Sequence, residues 1–307
     1  MSATSKPRFP STLAQEPLLP CPPLGRMSSP LSKHILFYVH EWLLKPLSKW
    51  YTRLRGIPVE PSIHFLPFGF VLKSNPRLRE QEGLAMNLAR AMGVPAPMFI
   101  SFGEPLGGCN AKHPDSPMPS LLMTGIPGTM LSEVDDDKVD FEVVRDDLLN
   151  ILASMRRFAS PWGDAVCGVD GGSVYGHFIP ASPLPACADE AAFYKAIRAH
   201  GNAFDATQAH VDTAERLFTL PRHAIVFTHG DLLRHNIMIG DDGHVSGIID
   251  WEAAAWLPEY WEISVTTLFK GYPWGQFMDK KLASGMYAEE IAGHRAVLAL
   301  VCDALSY

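Results

Sequence analysis

The chain has 307 residues, 47% hydrophobic and 19% charged, which supplies a sizeable core and excludes global disorder. Its formal net charge of −7 excludes a nucleic-acid binder that works through bulk positive charge. The charge is uneven: residues 1–56 hold eight Lys/Arg against two Glu, and the remainder holds 18 Lys/Arg against 31 Asp/Glu, an acidic body that suits a cationic small molecule and equally serves solubility alone.

The five cysteines, Cys21, Cys109, Cys167, Cys187 and Cys302, are scattered and never spaced as CxxC, so neither a disulfide framework nor a structural zinc site is expected. They fit reduced thiols in a cytoplasmic protein. The basic, Ser-containing start leaves organelle targeting open, although its prolines do not suit an amphipathic presequence helix. No apolar run reaches the ~18–20 residues of a membrane span. The longest, Ile35 to Leu47, is broken by His40, Glu41, Lys45 and Pro46, and no stable membrane insertion is expected.

In chain order, residues 1–32 are rich in Pro and Ser and read as a disordered tail. Residues 33–56 read as an N-terminal helix. Ser32 can cap it, Ile35, Leu36, Val39, Trp42 and Leu43 recur with helical period, and Pro46 is expected to kink or end it. Residues 57–125 read as a small sheet with one helix. Two strands within residues 62–73 meet at a Pro67-Phe68-Gly69 turn, and a helix follows from about Arg79 to Met92 with Leu84, Leu88 and Met92 on one face. Strands at Met98–Phe102 and Ser120–Met123 flank an exposed Gly/Pro/Ser/Asp loop over 104–119. Residues 126–307 read as mostly helical, with helices at Phe141–Phe158, about 189–200 and about 208–218, and an irregular Gly/Pro-rich stretch between Pro161 and Pro185.

The chemistry is concentrated in Ile225 to Glu252, IVFTHGDLLRHNIMIGDDGHVSGIIDWE. An apolar strand, Ala224 to Thr228, feeds a glycine-containing loop; Asn236–Ile239 and Val245–Ile249 form a hairpin around Gly240-Asp241-Asp242-Gly243. Such a hairpin sets the residues before its first strand beside those after its second, so Asp231 and Asn236 are expected near Asp250. Three oxygen-bearing side chains at one end of a hairpin suit a hard cation such as magnesium, and an Asp with an Asn five positions on, then an Asp after a hairpin, is the arrangement of kinase catalytic loops.

At these residues the sequence resembles the aminoglycoside/choline phosphotransferase superfamily, whose signature His229-Gly-Asp231-xxxx-Asn236 followed by Ile249-Asp250-Trp251-Glu252 matches. The resemblance covers roughly residues 60–300. It implies an α+β, bilobal, protein-kinase-like fold, with a small antiparallel sheet and one helix in the N-lobe and a helical C-lobe carrying the catalytic hairpin. It implies Asp231 as the catalytic base, Asn236 and Asp250 as ligands of Mg2+, and His229 as a support of the loop. On the same resemblance Lys73, at the end of Phe70-Val-Leu-Lys73, is the nucleotide-binding lysine, and Glu82 is its partner, with Glu80 competing two positions away. A buried ammonium needs such a carboxylate to stay charged. Leu121 to Gly128 resembles the inter-lobe hinge, with Met123 and Gly125 at the adenine. The activity implied is transfer of a phosphoryl group from ATP or GTP to a hydroxyl of an aminoglycoside- or choline-like small molecule.

The chain departs from the pattern in lacking a GxGxxG between its first two strands, where the turn holds only Gly69. That absence motivates the alternative of a catalytically idle pseudokinase serving as a nucleotide- or partner-binding module. A protein kinase is disfavoured because no APE-like segment follows Asp250. Zinc at His229, Asp231 and His235 lacks a second His/Cys cluster, and a serine hydrolase lacks GxSxG. Trp251, Trp256, Trp261 and Trp274 read as packing ahead of a cage for a cation.

Overall fold

The computed structural model describes residues 18–107, 117–176, 179, 183–199, 207–268 and 273–301. Residues 1–17 of the expected tail lie outside these, but its later part is anchored. The Leu19 N–H donates to the Arg157 carbonyl at 2.8 Å, and the Leu19 carbonyl accepts from Ala159 N–H at 2.9 Å. Two satisfied main-chain groups hold a segment whose composition alone reads as unstructured.

Helix α1 (Pro30–Val39) begins before Ser32. Ser29 is the cap, its hydroxyl accepting from Ser32 N–H, and Pro30 opens the helix where its missing N–H has no partner to lose. Pro46 does not end the helix. A π turn over His40–Leu44 leads directly into α2 (Lys45–Arg55), with Pro46 in its first turn. The widened turn accommodates a ring that carries no donor, where a regular ladder would break.

The N-lobe sheet is antiparallel, in the order β1 (Ile63–Phe65), β2 (Phe70–Ser74), β4 (Ser120–Thr124), β3 (Phe99–Gly103). Strand alternation divides its two faces. Val71 and Lys73 share one face with Met123 and Leu121, opposite them in register, and that face receives α3 (Glu80–Ala91). Leu72 and Ser74 face the other way, and α1 and α2 cover that side. His40 lies buried there, with Nδ1 bonded to the Ser120 hydroxyl at 2.7 Å and Nε2 to the Ser101 hydroxyl at 3.0 Å. The approach is close enough that a Cβ on Gly103 would meet the Phe37 backbone at 2.7 Å.

The C-lobe is built around α4 (Phe141–Arg156), capped by Asp140, with Val144, Leu148, Ile151, Leu152 and Met155 buried as their period requires. The helices α5 (Glu190–Arg198), α6 (Gln208–Leu217), α7 (Trp261–Thr266), α8 (Pro273–Gln276) and α9 (Ala288–Val301) follow. The strands β5 (Thr129–Met130), β6 (Cys167–Gly168), β7 (Ile225–Thr228), β8 (Ile237–Ile239), β9 (Val245–Ile248) and β10 (Ala255–Pro258) form two three-stranded sheets, β5-β8-β9 and β6-β10-β7. The α+β arrangement expected from the sequence is therefore the one formed. Trp251, Trp256, Trp261 and Trp274 are all buried, so they pack the core. No helix among the described residues is long and apolar enough to cross a membrane.

Candidate active site

Strand β7 delivers His229, Gly230 and Asp231 into a loop whose shape depends on glycine. Gly230 has φ 80°, and a Cβ there would lie 2.6 Å from the Ala253 carbonyl oxygen. His229 holds the loop from within. Its Nε2 donates to the Ile249 carbonyl at 3.0 Å, which leaves Nδ1 to accept from Asp231 N–H at 3.2 Å. Glu262, on α7, accepts the N–H groups of His229 at 2.8 Å and Gly230 at 3.1 Å. Burial pushes the Glu262 carboxyl above its ordinary range, against the pull of His229 and these two donors.

Asn236 closes the unit. Its Nδ2 donates to the Asp231 carbonyl at 2.8 Å and to Asp231 Oδ2 at 3.0 Å. Its own carbonyl accepts from Ile249 N–H at 2.9 Å. The hairpin β8–β9 thus ties Asp231 and Asn236 to the residue preceding Asp250. Asp250 has φ 62°, an unusual conformation for a non-glycine residue and a form of local strain that clusters at functional sites.

Lys73 meets Asp250 across the lobes. Its Nζ lies 2.7 Å from Asp250 Oδ1, 3.0 Å from Glu82 Oε1 and 3.7 Å from Glu252 Oε2. Burial alone would lower the Lys73 ammonium, yet the charges of Glu82, Asp250 and Glu252 hold it above its ordinary value. Burial raises the Glu82 carboxyl, with Lys73 opposing. At Asp250 burial also works upward, but Lys73 outweighs it and the carboxyl sits below its ordinary range. Glu80, the competing partner in the sequence, turns away. It accepts from Ser28 N–H at 2.8 Å and pairs with Lys33 at 3.1 Å.

Glu82, Asp250 and Glu252 offer oxygen atoms all within 4.8 Å of one another, and they are the only such His/Cys/Asp/Glu group among the described residues. An all-oxygen set suits a hard divalent cation, and it contains none of His229, Asp231 and His235 of the zinc reading. His235 is exposed and stands apart. Asp231 is not a member of this carboxylate group, its Oδ2 being engaged by Asn236.

At the hinge, Met123 lies in β4 opposite Val71, on the face that carries Lys73. The Gly125 N–H is donated to the Gly69 carbonyl at 2.6 Å, so the loop between β1 and β2 takes the donor expected to meet adenine. That loop presents Phe68, 95% exposed and at φ 63°, where a glycine-rich turn would stand. Sequence reasoning left two residues without a step. Glu252 was visible as the end of IDWE but its approach to Lys73 was not, and Glu262, 31 residues beyond Asp231, gave no local signal.

Residues 69–285, more than half of the chain, match the family described as "Phosphotransferase enzyme family". None of the curated proteins compared with the chain matches it. Among solved structures, an apo thermostable mutant of aminoglycoside phosphotransferase APH(4)-Ia is similar at 12% identity and TM-score 0.50, covering 82% of this chain and 89% of that chain. A ternary complex of such a mutant with AMP-PNP and hygromycin B is 16% identical with TM-score 0.51, covering 83% and 88%. Another, with ADP and hygromycin B, is 15% identical with TM-score 0.51 and the same coverage. At these identities the likeness concerns the fold. The family match goes further: the chain belongs to the phosphotransferase enzyme family, as a small-molecule phosphotransferase of protein-kinase-like fold with an alcohol group as acceptor.

Proposed function

We propose that the chain transfers the γ-phosphoryl group of ATP or GTP to a hydroxyl of a small molecule, aminoglycoside- or choline-like. The single observation that carries this reading is the Lys73 ammonium held between Glu82 of the N-lobe and Asp250 of the C-lobe, with the Asp231–Asn236 pair tied through Asn236 to Ile249, the residue before Asp250. Similar solved structures hold AMP-PNP or ADP together with hygromycin B. A cationic acceptor fits the acidic body of the chain.

In this reading Asp231 accepts the proton of the acceptor hydroxyl as the oxygen–phosphorus bond forms and the nucleoside diphosphate leaves. The Asn236 amide, with its N–H donated to Asp231, orients that carboxylate, and its own oxygen would be offered to a cation. Lys73 grips nucleotide phosphates while Glu82 keeps it charged. Asp250, with Asn236 and the neighbouring Glu252, would hold Mg2+. When bound, that ion neutralises phosphate charge. Met123 and the residues around Gly125 would border the base; adenine contact by the Gly125 N–H requires the Gly69 carbonyl to release it.

Asp231→Asn is expected to lower turnover by about 10²–10⁴-fold in an assay of acceptor-dependent nucleoside diphosphate release. Full activity in that variant would remove Asp231 as the base. Nucleotide binding without release, for any acceptor in a broad panel of hydroxyl compounds, would favour the idle scaffold.

A further inference from the structure

The run of α1, the π turn and α2 is amphipathic in the wrong sense for a helix that serves only its own core. The side chains it buries against the sheet are Phe37, His40, Ser48 and Thr52, three of the four polar. Apart from Phe37 and the half-buried Leu36, Leu44 and Leu47, its large aliphatic and tryptophan side chains point outward: Leu31, Ile35, Trp42, Leu43, Trp50 and Leu54 are each between 55% and 77% exposed. A surface helix ordinarily buries such residues and exposes the polar ones. Here they line one side of a run of about 26 residues, ~39 Å long at 1.5 Å per residue. A contiguous exposed apolar surface of that kind marks an interaction site.

Charge identifies the occupant. Lys49 and Arg53, one turn apart, lie beside Trp50 and Leu54, also one turn apart, and Arg55 follows. No ion pair among the described residues engages Lys49, Arg53 or Arg55. Glu41 is the sole acidic residue between Pro30 and Gly56, and it is spent on Lys45. Tryptophans and leucines between unpaired cations, on a helix with no acidic rim, match the chemistry of an anionic bilayer surface. The apolar side chains enter the headgroup boundary, tryptophan favours that depth, and the cations stay with lipid phosphates and carboxylates.

We propose that this helix docks the protein, peripherally and reversibly, onto anionic phospholipid surfaces. The acidic remainder of the chain is repelled by the same surface, which fixes the orientation with the helix toward the lipid. Docking leaves the candidate active site free, because α1 and α2 cover the Leu72 face of the sheet and Lys73 lies on the other.

The test is flotation of the full chain with phosphatidylcholine vesicles, with and without phosphatidylserine. The wild type is expected to float with the anionic vesicles and not with the neutral ones. Lys49→Glu with Arg53→Glu should weaken partitioning by at least ~25-fold, about fivefold for each basic residue lost. Trp50→Glu with Leu54→Glu should abolish it. All four positions are exposed, and an unchanged melting temperature shows that the fold is kept. Failure of the wild type to float, equal flotation with neutral vesicles, or flotation of the Trp50/Leu54 variant would overturn the proposal. A dimer in sedimentation equilibrium, split by Trp50→Glu and with no vesicle binding, would overturn it in favour of a self-interface.

Discussion

Lys73 depends on which glutamate of α3 reaches it. Glu80 and Glu82 stand two positions apart at the start of that helix, roughly 200° apart around its axis. Only Glu82 turns to Lys73, while Glu80 anchors Ser28 and Lys33 of the N-terminal segment. Sequence alone leaves both as partners, because either lies within reach of a strand-end lysine until the helix is set on the sheet. The two substitutions should separate. Glu82→Gln is expected to lower kcat/KM by roughly tenfold or more, the equivalent of about 1.4 kcal/mol, with loss of nucleotide affinity. Glu80→Gln should leave kcat/KM unchanged and lower the melting temperature, since it weakens a buried pair remote from the phosphates. Equal kinetic losses from both would show that α3 acts as a rigid unit held by the N-terminal segment.

At the scale of elements, the helix over the sheet's outer face carries a pH dependence of its own. His40 sits between two serine hydroxyls, and burial, with the charge of Lys45 acting the same way, lowers its pKa from 6.5 to about 4. The unfolded chain binds that proton near pH 6.5 and the folded one does not until about pH 4. Stability is thus fully present above pH 6.5 and declines as pH falls toward 4, by on the order of 2–3 kcal/mol. Buried His294, lowered to about 3, acts in the same direction, so the comparison must be differential. Melting temperatures of the wild type and His40→Gln should converge between pH 7 and pH 4.5, with the variant less stable at pH 7 and showing the flatter slope. Parallel curves would mean that His40 charges without cost. None of this was readable in the helix pattern, which also placed the break at Pro46. Periodicity reports a helix and a proline reports a missing donor, but neither reports that a π turn joins them.

Across the whole molecule, what the sequence revealed was local and what it hid was assembled at a distance. The loop from His229 to Asn236 and the hairpin into Asp250 were legible because turn chemistry and short spacing write them contiguously. The Glu262 clamp, the Glu252 approach and the Gly69 carbonyl on Gly125 were not, since each depends on how separate elements pack. The same packing joins the lobes at Lys73 and Asp250, 177 positions apart and 2.7 Å in contact. A divalent ion at Asp250 would compete with Lys73 for this carboxylate, so nucleotide and metal binding should register as global stability. With ATP at ~100 times its dissociation constant and Mg2+ present, the gain is about 2.7 kcal/mol, several degrees in melting temperature for a chain of this size. With ATP and a chelator the shift should be smaller. Asp250→Asn should abolish the difference between these two conditions while leaving a folded protein, because Glu82 still neutralises Lys73. A full magnesium-dependent increment in that variant would remove Asp250 from the metal site, whereas no nucleotide shift in the wild type at any concentration would remove the kinase chemistry itself.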